Sequence, residues 1–371
     1  MDSATDLYPL NVPQPYPFNQ WWIAAYSSEI GRTLASRTIL GRPAVFYRTE
    51  AGEAVALAGL CPHRLFPMAK GCLVGDTVQC GYHGFTYDKT GRCIRIPSQD
   101  SVPPNFAIRR YPVMERGGLL WIWSGAEGSA DPARLPNLES MGPGSSDWAV
   151  EYHPPVTIRG RYQLLIDNLL DLSHISFIHA TTIPGGGAVV RIPPQISDTP
   201  ASYNIERIGR QLPSNPHMQF LFPEYSGPVD HHFDAEYFGP NLIRTGGAIR
   251  ASASVPAAKV QPLGTTNFLH GITPESPTSV HYFVMTARNF RVKDQALSAA
   301  NLAMGALIQP QDLEAIEAIE VNVPQFASTR RELSCLADAG AIHVRRRLAV
   351  QIRAELNLQS SDSELQDPSA G

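Results

Sequence analysis

The sequence predicts an α+β protein in two parts: an all-β first third, then a larger part that mixes strands with helices. Three observations predict it. Runs of β-branched and aromatic residues fill the first third of the chain. The stretch GAEGSADPARLPNLESMGPGSS then breaks the pattern with Gly, Pro and Ser. Beyond it, alternating strand-like runs stand beside segments of helical periodicity.

Taken in order, RTILGRPAVFYRT predicts two strands around a Gly-Arg-Pro turn, EAVALAGL a third and LLWIWSG another. The break sets the expected boundaries: an N-terminal extension at 1–16, a first domain at 17–125, a linker at 126–146 and a second domain at 147–357. The tail 358–371, which contains SSDSELQDPSAG, is expected to be disordered. The second domain opens on the strand-like AVEYHPPVTIRG. Leu164, Leu165, Leu169 and Leu172 recur at helical spacing and predict a helix from Tyr162 to His179. Residues 184 to 262 are dense in Pro and Gly and weakly periodic. NFLHGIT and VHYFVMTA predict strands, whereas Asp294 to about Val321 and HVRRRLAVQIRAEL predict helices.

A chain of 371 residues with 43% apolar and 17% charged residues can bury a sizeable core. Its net charge of −4 gives no sign of nucleic-acid or membrane binding. The start MDSATDLYPLNVPQPYP has no signal-peptide pattern, and no apolar run approaches the ~18 residues of a membrane span. The expected compartment is the bacterial cytoplasm. There is no glycine-rich dinucleotide or phosphate loop, so nicotinamide chemistry is expected in another protein. Five cysteines make no disulfide framework, and Cys72, Cys93 and Cys335 read as small buried apolar residues.

The other two cysteines carry the chemistry. In CPHRLFPMAKGCLVGDTVQCGYH, Cys61 and His63 are followed, after sixteen residues, by Cys80 and His83. Four such ligands suffice for a closed metal site. Zinc sites usually group like ligands, but here each arm carries one thiolate and one imidazole. That suits a binuclear cluster, in which one iron takes both cysteines and the other both histidines. A tetrahedral zinc is the alternative.

The flanking residues CPHR and CGYHGFTYDKTGRC resemble the Rieske domains of bacterial ring-hydroxylating and demethylating oxygenases. Respiratory Rieske proteins are similar in ligand spacing but carry an extra cysteine in each loop. Phe66 and Tyr82 stand at those positions here, so no disulfide joins the loops. Phe85 replaces a serine that donates to the cluster in the respiratory type. The resemblance therefore implies a potential toward the low end of the Rieske range, about −150 mV.

A second segment, DNLLDLSHISFIHA, holds His174 and His179, with Asp171 one turn before them. Two histidines and a carboxylate with open positions is a non-haem Fe(II) arrangement; two histidines satisfied in a core are the alternative. Five residues at ~100° each leave the side chains about 140° apart. Both reach one metal only if the helix widens or ends between them. N-x-x-D-x-x-H-x-x-x-x-H after a Rieske domain is similar to the iron-ligand signature of Rieske oxygenases, here Asn168, Asp171, His174 and His179. The family's third ligand is a downstream Asp near the start of a helix. In IQPQDLEAIEAIE the position that resembles the vanillate and dicamba O-demethylase branch is Asp312. Asp312 is also a good N-cap type, and Glu314, Glu317 and Glu320 compete with it.

The resemblance extends from YPFNQWWIAA to the last helix. It implies a Rieske [2Fe–2S] domain followed by a helix-grip (START-like) catalytic domain, whose curved antiparallel sheet wraps a long helix and which holds mononuclear non-haem Fe(II). It implies a head-to-tail homotrimer, with Asp171 bridging the partner subunit's His83 and His174 of its own chain. The implied partners are O₂, a small aromatic substrate, and a ferredoxin and/or flavin reductase as electron donor. Arg64, Lys70, Lys89, Arg92 and Arg95 outnumber Asp76 and Asp88 near the cluster loops and would suit an acidic donor. The implied activity is oxidative O- or N-dealkylation. Aryl-methyl or ring hydroxylation is the alternative within the family, and a non-catalytic electron-transfer or ligand-binding protein the alternative outside it. His270 in NFLHGIT matches a substrate-contact position of the dicamba-type enzymes. His231 and His232 should point to opposite faces of a strand and are not ligands. The PGGGA loop at 184–188 reads as a rim of the entrance or an ordinary connection.

Overall fold

The computed structural model describes residues 16–183, 186–252, 262–326 and 332–364. It divides into two units: residues 18–136 with 273–277, and residues 137–272 with the chain from Thr278 onward. Residues 126–146, expected as a linker, form three short 3-10 turns at Glu127–Ser129, Pro132–Arg134 and Glu139–Met141.

The first unit is all β. Strands β1 (Trp21–Tyr26), β2 (Ala35–Ile39), β3 (Arg42–Arg48), β4 (Ala54–Ala58), β5 (Cys72–Val74), β6 (Thr77–Gln79), β7 (Thr86–Tyr87), β8 (Cys93–Arg95), β9 (Arg110–Tyr111), β10 (Val113–Arg116) and β11 (Leu119–Trp123) follow in order. They make three small sheets, β1-β11-β10, β2-β3-β4-β9 and β5-β6-β7-β8. The first hairpin turns one residue earlier than expected. Ile39 pairs with Arg42, so Leu40 and Gly41 form the turn, with φ of 53° and 74°. Two positive φ values match the twist of a two-residue hairpin. Val45, Tyr47, Val55 and Leu57 pack with Cys61, Cys80, Phe85 and Tyr87 in one apolar cluster, which anchors both ligand loops. Cys93 is buried as expected, but Cys72 and Cys335 are exposed. Cys72 opens a three-residue strand, where alternation turns it outward.

The second unit holds an antiparallel sheet of β12 (Ala149–Tyr152), β13 (Val156–Ile158), β14 (Gln195–Asp198), β15 (Tyr203–Leu212), β16 (Val229–Gly239), β17 (Leu242–Ala251), β18 (Pro262–Ser276) and β19 (Ser279–Arg288). Its order is β12-β19-β18-β17-β16-β15-β14, with β13 also paired to β19. Strands β14 to β17 fall in the stretch that gave no clear sequence signal. The helices are α1 (Tyr162–Leu170), α2 (Pro216–Leu221), α3 (Gln295–Phe326) and α4 (Ala339–Glu364). α1 is buried nearly all round and packs against β16, β17, α3 and α4. This is the fold class expected: a β domain, then a catalytic domain in which an antiparallel sheet and helices enclose a central helix.

Two helix expectations need correction. The helix from Tyr162 stops at Leu170 rather than running to His179. Asp171 leaves helical conformation at φ −113° and ψ 87°, and its carboxylate caps Ser173 N at 2.9 Å. A short polar side chain competes here with the helix's own hydrogen bonds. A 3-10 turn, Leu172–Ser176, follows. Asp312, for its part, is no N-cap, because α3 runs straight through Pro310. The helix is instead opened by Asp294, whose Oδ1 accepts from Leu297 N at 2.9 Å. At the C-terminus α4 extends to Glu364, into the stretch expected to be disordered. Residues 365–371 lie outside the described residues, as do Pro184 and Gly185 of the PGGGA loop; Gly186–Arg191 form a 3-10 turn.

Candidate metal centres

The first ligand set lies on two loops built alike. Cys61 N donates to Phe66 O at 2.9 Å, and Leu65 N back to Cys61 O at 2.8 Å. In the second loop Cys80 N donates to Phe85 O at 2.8 Å, and Gly84 N to Cys80 O at 3.0 Å. The fifth residue of each loop takes a positive φ, 55° at Leu65 and 71° at Gly84. Like ligands end up together. Cys61 and Cys80 are buried, and their side chains interact. The His63 and His83 rings stand edge to face with centroids 4.7 Å apart, nearer the surface.

A single tetrahedral zinc would draw on all four at one point. A buried thiol pair with a separate imidazole pair fits a two-iron cluster instead. Phe66 and Tyr82 pack across the loops with centroids 5.6 Å apart, where a disulfide would otherwise tie them.

The sequence reading missed Tyr87. Its hydroxyl lies 3.4 Å from Cys61 Sγ inside the core. The signal was present, a Tyr seven positions after Cys80, but only the loss of the serine at Phe85 was weighed. A hydroxyl donating to a thiolate stabilises the more negative, reduced cluster. Tyr87→Phe should therefore lower the midpoint potential by about 40–60 mV, the equivalent of about 1 kcal/mol. Protein-film voltammetry on the purified chain checks this; an unchanged potential would exclude Tyr87 as a donor.

At the second centre three segments converge. His174 comes from the 3-10 turn, His179 from the turn after it, and Asp312 from the buried stripe of α3 that continues through Ile316 and Glu320. Asp312 Oδ1 lies 3.1 Å from His179 Nε2 and 3.7 Å from His174 Nε2. The 3-10 turn ends between the two histidines, which resolves their awkward helical spacing.

Hydrogen bonds fix the chemistry of these rings. His174 Nδ1 donates to the main-chain oxygen of Asp171 at 2.6 Å. His179 Nδ1 donates to Gln311 Oε1 at 2.8 Å, an oxygen that also accepts from Thr182 Oγ1 at 2.8 Å. With both Nδ1 atoms carrying protons, both Nε2 lone pairs face the Asp312 carboxylate. Two lone pairs and an anion meeting in a buried place suit a cation held between them. The pKa shifts carry the same mark. Burial lowers His174. At His179 burial also works downward, but the hydrogen bond and charge of Asp312, with the Gln311 bond, outweigh it and the net shift is upward. The residues thus fit a divalent ion on two imidazoles and one carboxylate.

The competing carboxylates are occupied or turned away. Glu320 is bound to Arg161, Glu317 accepts from Arg159 N at 2.9 Å, and Glu314 is exposed. Asn168 Nδ2 donates to Asp312 Oδ1 at 3.3 Å, so Asn168 orients a ligand.

Two expectations do not hold as stated. The Asp171 carboxylate does not accept from His174; it accepts from Ser173 N and Oγ, each at 2.9 Å, and the main-chain oxygen serves the imidazole. Capping the 3-10 turn takes the side chain, and the same turn brings the carbonyl under the ring. His270 is also committed: Nε2 pairs with Thr245 Oγ1 at 2.8 Å and Nδ1 with Tyr282 OH at 2.6 Å. Burial pushes it down to about 4, so it stays neutral. It is a satisfied core histidine rather than a free donor for substrate. His231 and His232 do take opposite faces: the His231 ring packs tilted against Phe233, with centroids 4.0 Å apart, while His232 Nδ1 meets Glu206 at 2.6 Å. Among the described residues, no helix is long and apolar enough to cross a membrane.

Comparison with known proteins assigns both halves. The Rieske [2Fe-2S] domain model matches residues 20–112, and the vanillate O-demethylase oxygenase C-terminal domain model matches residues 158–354. The chain is 32% identical over 329 residues to the iron-sulfur subunit of the toluene-4-sulfonate monooxygenase system of Comamonas testosteroni, covering 87% of this chain and 93% of that protein. It is 30% identical over 350 residues to the oxygenase component of chloroacetanilide N-alkylformylase from Rhizorhabdus wittichii (strain DC-6), covering 91% and 96%. The crystal structure of dicamba monooxygenase with non-heme iron and dicamba superposes with a TM-score of 0.77 at 26% identity, over 92% of this chain and 98% of that one. With both family models matched and relatives of 30% identity or more aligned along most of its length, the chain belongs to the Rieske oxygenases whose catalytic domain is of the vanillate O-demethylase type.

Proposed function

We propose that this chain is the oxygenase component of a Rieske monooxygenase that dealkylates an aromatic ether or N-alkyl amide. The observation that carries it is the meeting of the His174 and His179 Nε2 atoms with the Asp312 carboxylate, both Nδ1 atoms being held from behind. In this reading Cys61, His63, Cys80 and His83 hold the [2Fe–2S] cluster, and His174, His179 and Asp312 hold mononuclear Fe(II). When bound, these groups supply single electrons and oxygen activation.

The chain's own residues set the conditions. The Asp171 carbonyl and Gln311 hold both imidazoles in the tautomer that offers Nε2. Asp312 contributes the one negative charge, and Asn168 fixes its orientation. Burial of His179 and Asp312 keeps bulk water from the ligands. In the overall reaction one oxygen atom enters the alkyl C–H bond. The other leaves as water, with two electrons from the donor and two protons. The resulting hemiacetal or N-acyl hemiaminal collapses to an aldehyde and a phenol or an N–H amide.

The working form in this reading is a homotrimer in which the partner subunit's His83 lies beside Asp171. The donor, a ferredoxin or flavin reductase, meets the exposed Arg64, Lys70, Arg92 and Arg95. Lys89 contributes less, since it pairs with Glu53 at 2.7 Å.

A second reading, oxidation of an aryl methyl group, is favoured by the toluene-4-sulfonate monooxygenase relative. Products separate the two. With a surrogate reductase, NADH and methoxybenzoates, dealkylation should release formaldehyde one for one with phenol. With 4-toluenesulfonate the second reading gives a benzylic alcohol that keeps its carbon. A cis-diol from the best substrate, without aldehyde, would end both.

A further inference from the structure

The second unit buries several arginines, and they are of two kinds. Arg161 meets Glu320 at 2.5 Å, Arg288 meets Glu151 at 2.9 Å, and Arg345 meets Asp167 and Glu332 at 2.5 Å each. Arg207 is as buried, at 5% exposure, yet no carboxylate among the described residues reaches it. Nη1 donates to the main-chain oxygen of Ile192, and Nε is buried without an acceptor. Burial lowers its pKa, and the acidic field that opposes this comes from Asp171, whose carboxylate is already bound to Ser173. A buried, unpaired guanidinium is costly unless an anion arrives to meet it.

Its place in the sheet says where that anion would lie. Strand register puts Tyr203, Tyr237, Ile243 and His270 in one row across β15 to β18. Ile205, Ala235, Thr245 and Phe268 make the next row, and Arg207 and Phe233 begin the third. This face is the inner one, since Tyr203 stacks on His343 of α4 at 4.2 Å. The first row is closed, and His270 within it feels the charge of Asp312. The face then opens: Phe268 is 37% exposed and Phe233 half-buried, although both point inward. Two partly uncovered aromatic rings thus follow the His270 row on the inner face, with a cation lacking its counter-charge at their edge.

We infer that Arg207 is the anchor for a carboxylate or sulfonate on the aromatic substrate, whose ring lies on Phe233 and Phe268. This rests on the reading of the His174, His179 and Asp312 trio as the catalytic site. Arg207 selects among substrates: the fork of its guanidinium matches the geometry of either anion.

The test compares matched probes on the metal-loaded enzyme: 3-methoxybenzoate against 3-methoxybenzamide, and 4-toluenesulfonate against 4-toluenesulfonamide, by isothermal titration. The wild type should bind at least one anion about tenfold or more tighter than its neutral partner. Arg207→Met should abolish that ratio while leaving the neutral probe within about threefold, and Arg207→Lys should keep part of it. The Met variant should also melt at or above the wild-type temperature without ligand, because an unpaired buried charge has gone. Arg207→Gln gives the same ratio if the Met variant does not fold. No anion preference in the wild type, or a preference that survives in Arg207→Met, overturns the assignment. Binding is read without turnover, so a chain that binds anions through Arg207 but releases no aldehyde would sink the dealkylation reading and leave this one standing.

Discussion

Asp312→Ala is expected to leave less than about 1% of wild-type turnover, with iron lost and the cluster spectrum intact. Residues that merely support a metal ligand typically contribute 10- to 100-fold, so a direct ligand should exceed that. Among the described residues, Asp312 is also the only anion at the centre. Without it, two imidazole lone pairs face an ion whose charge nothing offsets. Asp312 further accepts the hydrogen bond of Asn168, so its loss frees that side chain. Glu314→Ala and Glu317→Ala should keep iron and activity, because neither carboxylate reaches the centre. Iron per protomer, measured by plasma emission beside the visible spectrum, decides between them. Iron retained in Asp312→Ala and lost in a glutamate variant would move the ligand.

The side chains that gather at both candidate centres were legible because ligand chemistry is local. Cys61, His63, Cys80 and His83 sit on short loops whose spacing shows in the sequence, and His174 and His179 share one segment. Their geometry was less legible. That His174 leans on the carbonyl of Asp171, and not on its carboxylate, depends on where α1 ends. A capping bond two residues long decides that, and leucine periodicity carries on past it to Leu172. Asp312 was found only through resemblance, since the same helical stretch also offers Glu314, Glu317 and Glu320. α3 continues through Pro310 because its buried stripe, Asp312, Ile316 and Glu320, packs tightly enough to outweigh one lost hydrogen bond.

The four missed strands, β14 to β17, have a different cause. Their inner positions alternate as they should, with Tyr203, Ile205, Ala235 and Tyr237 buried. But Arg207 and Gly209 interrupt the apolar face of β15, and Glu206, His232, Asp234, Glu236 and Arg244 fill the opposite face with charge that is only partly solvated. A period-two signal needs one face reliably apolar. Here the interruption is itself informative, because Arg207 is where the pattern fails and where the substrate argument begins. His270 shows the converse. Tyr282 and Thr245 reach its two ring nitrogens from the neighbouring strands β19 and β17, a pairing no single segment reveals.

Asp171→Asn should slow electron transfer between the centres by about 30- to 150-fold, the equivalent of about 2–3 kcal/mol for a charged hydrogen bond made between them. The structure makes this substitution unusually clean. Asparagine caps as well as aspartate, so its oxygen can still accept from Ser173 N. The carbonyl that holds His174 belongs to the main chain and stays in place. The variant therefore removes a half-buried charge and little else, and both metals and the oligomer should remain. Reduced, substrate-loaded enzyme mixed with O₂ in a stopped-flow instrument gives the rate of cluster oxidation directly. Normal single-turnover rates in Asp171→Asn, or full activity in an isolated monomer, would refute a route through the partner subunit's His83. The carboxylate would then be only the cap of its own turn, and electrons would have to reach His174 by another path.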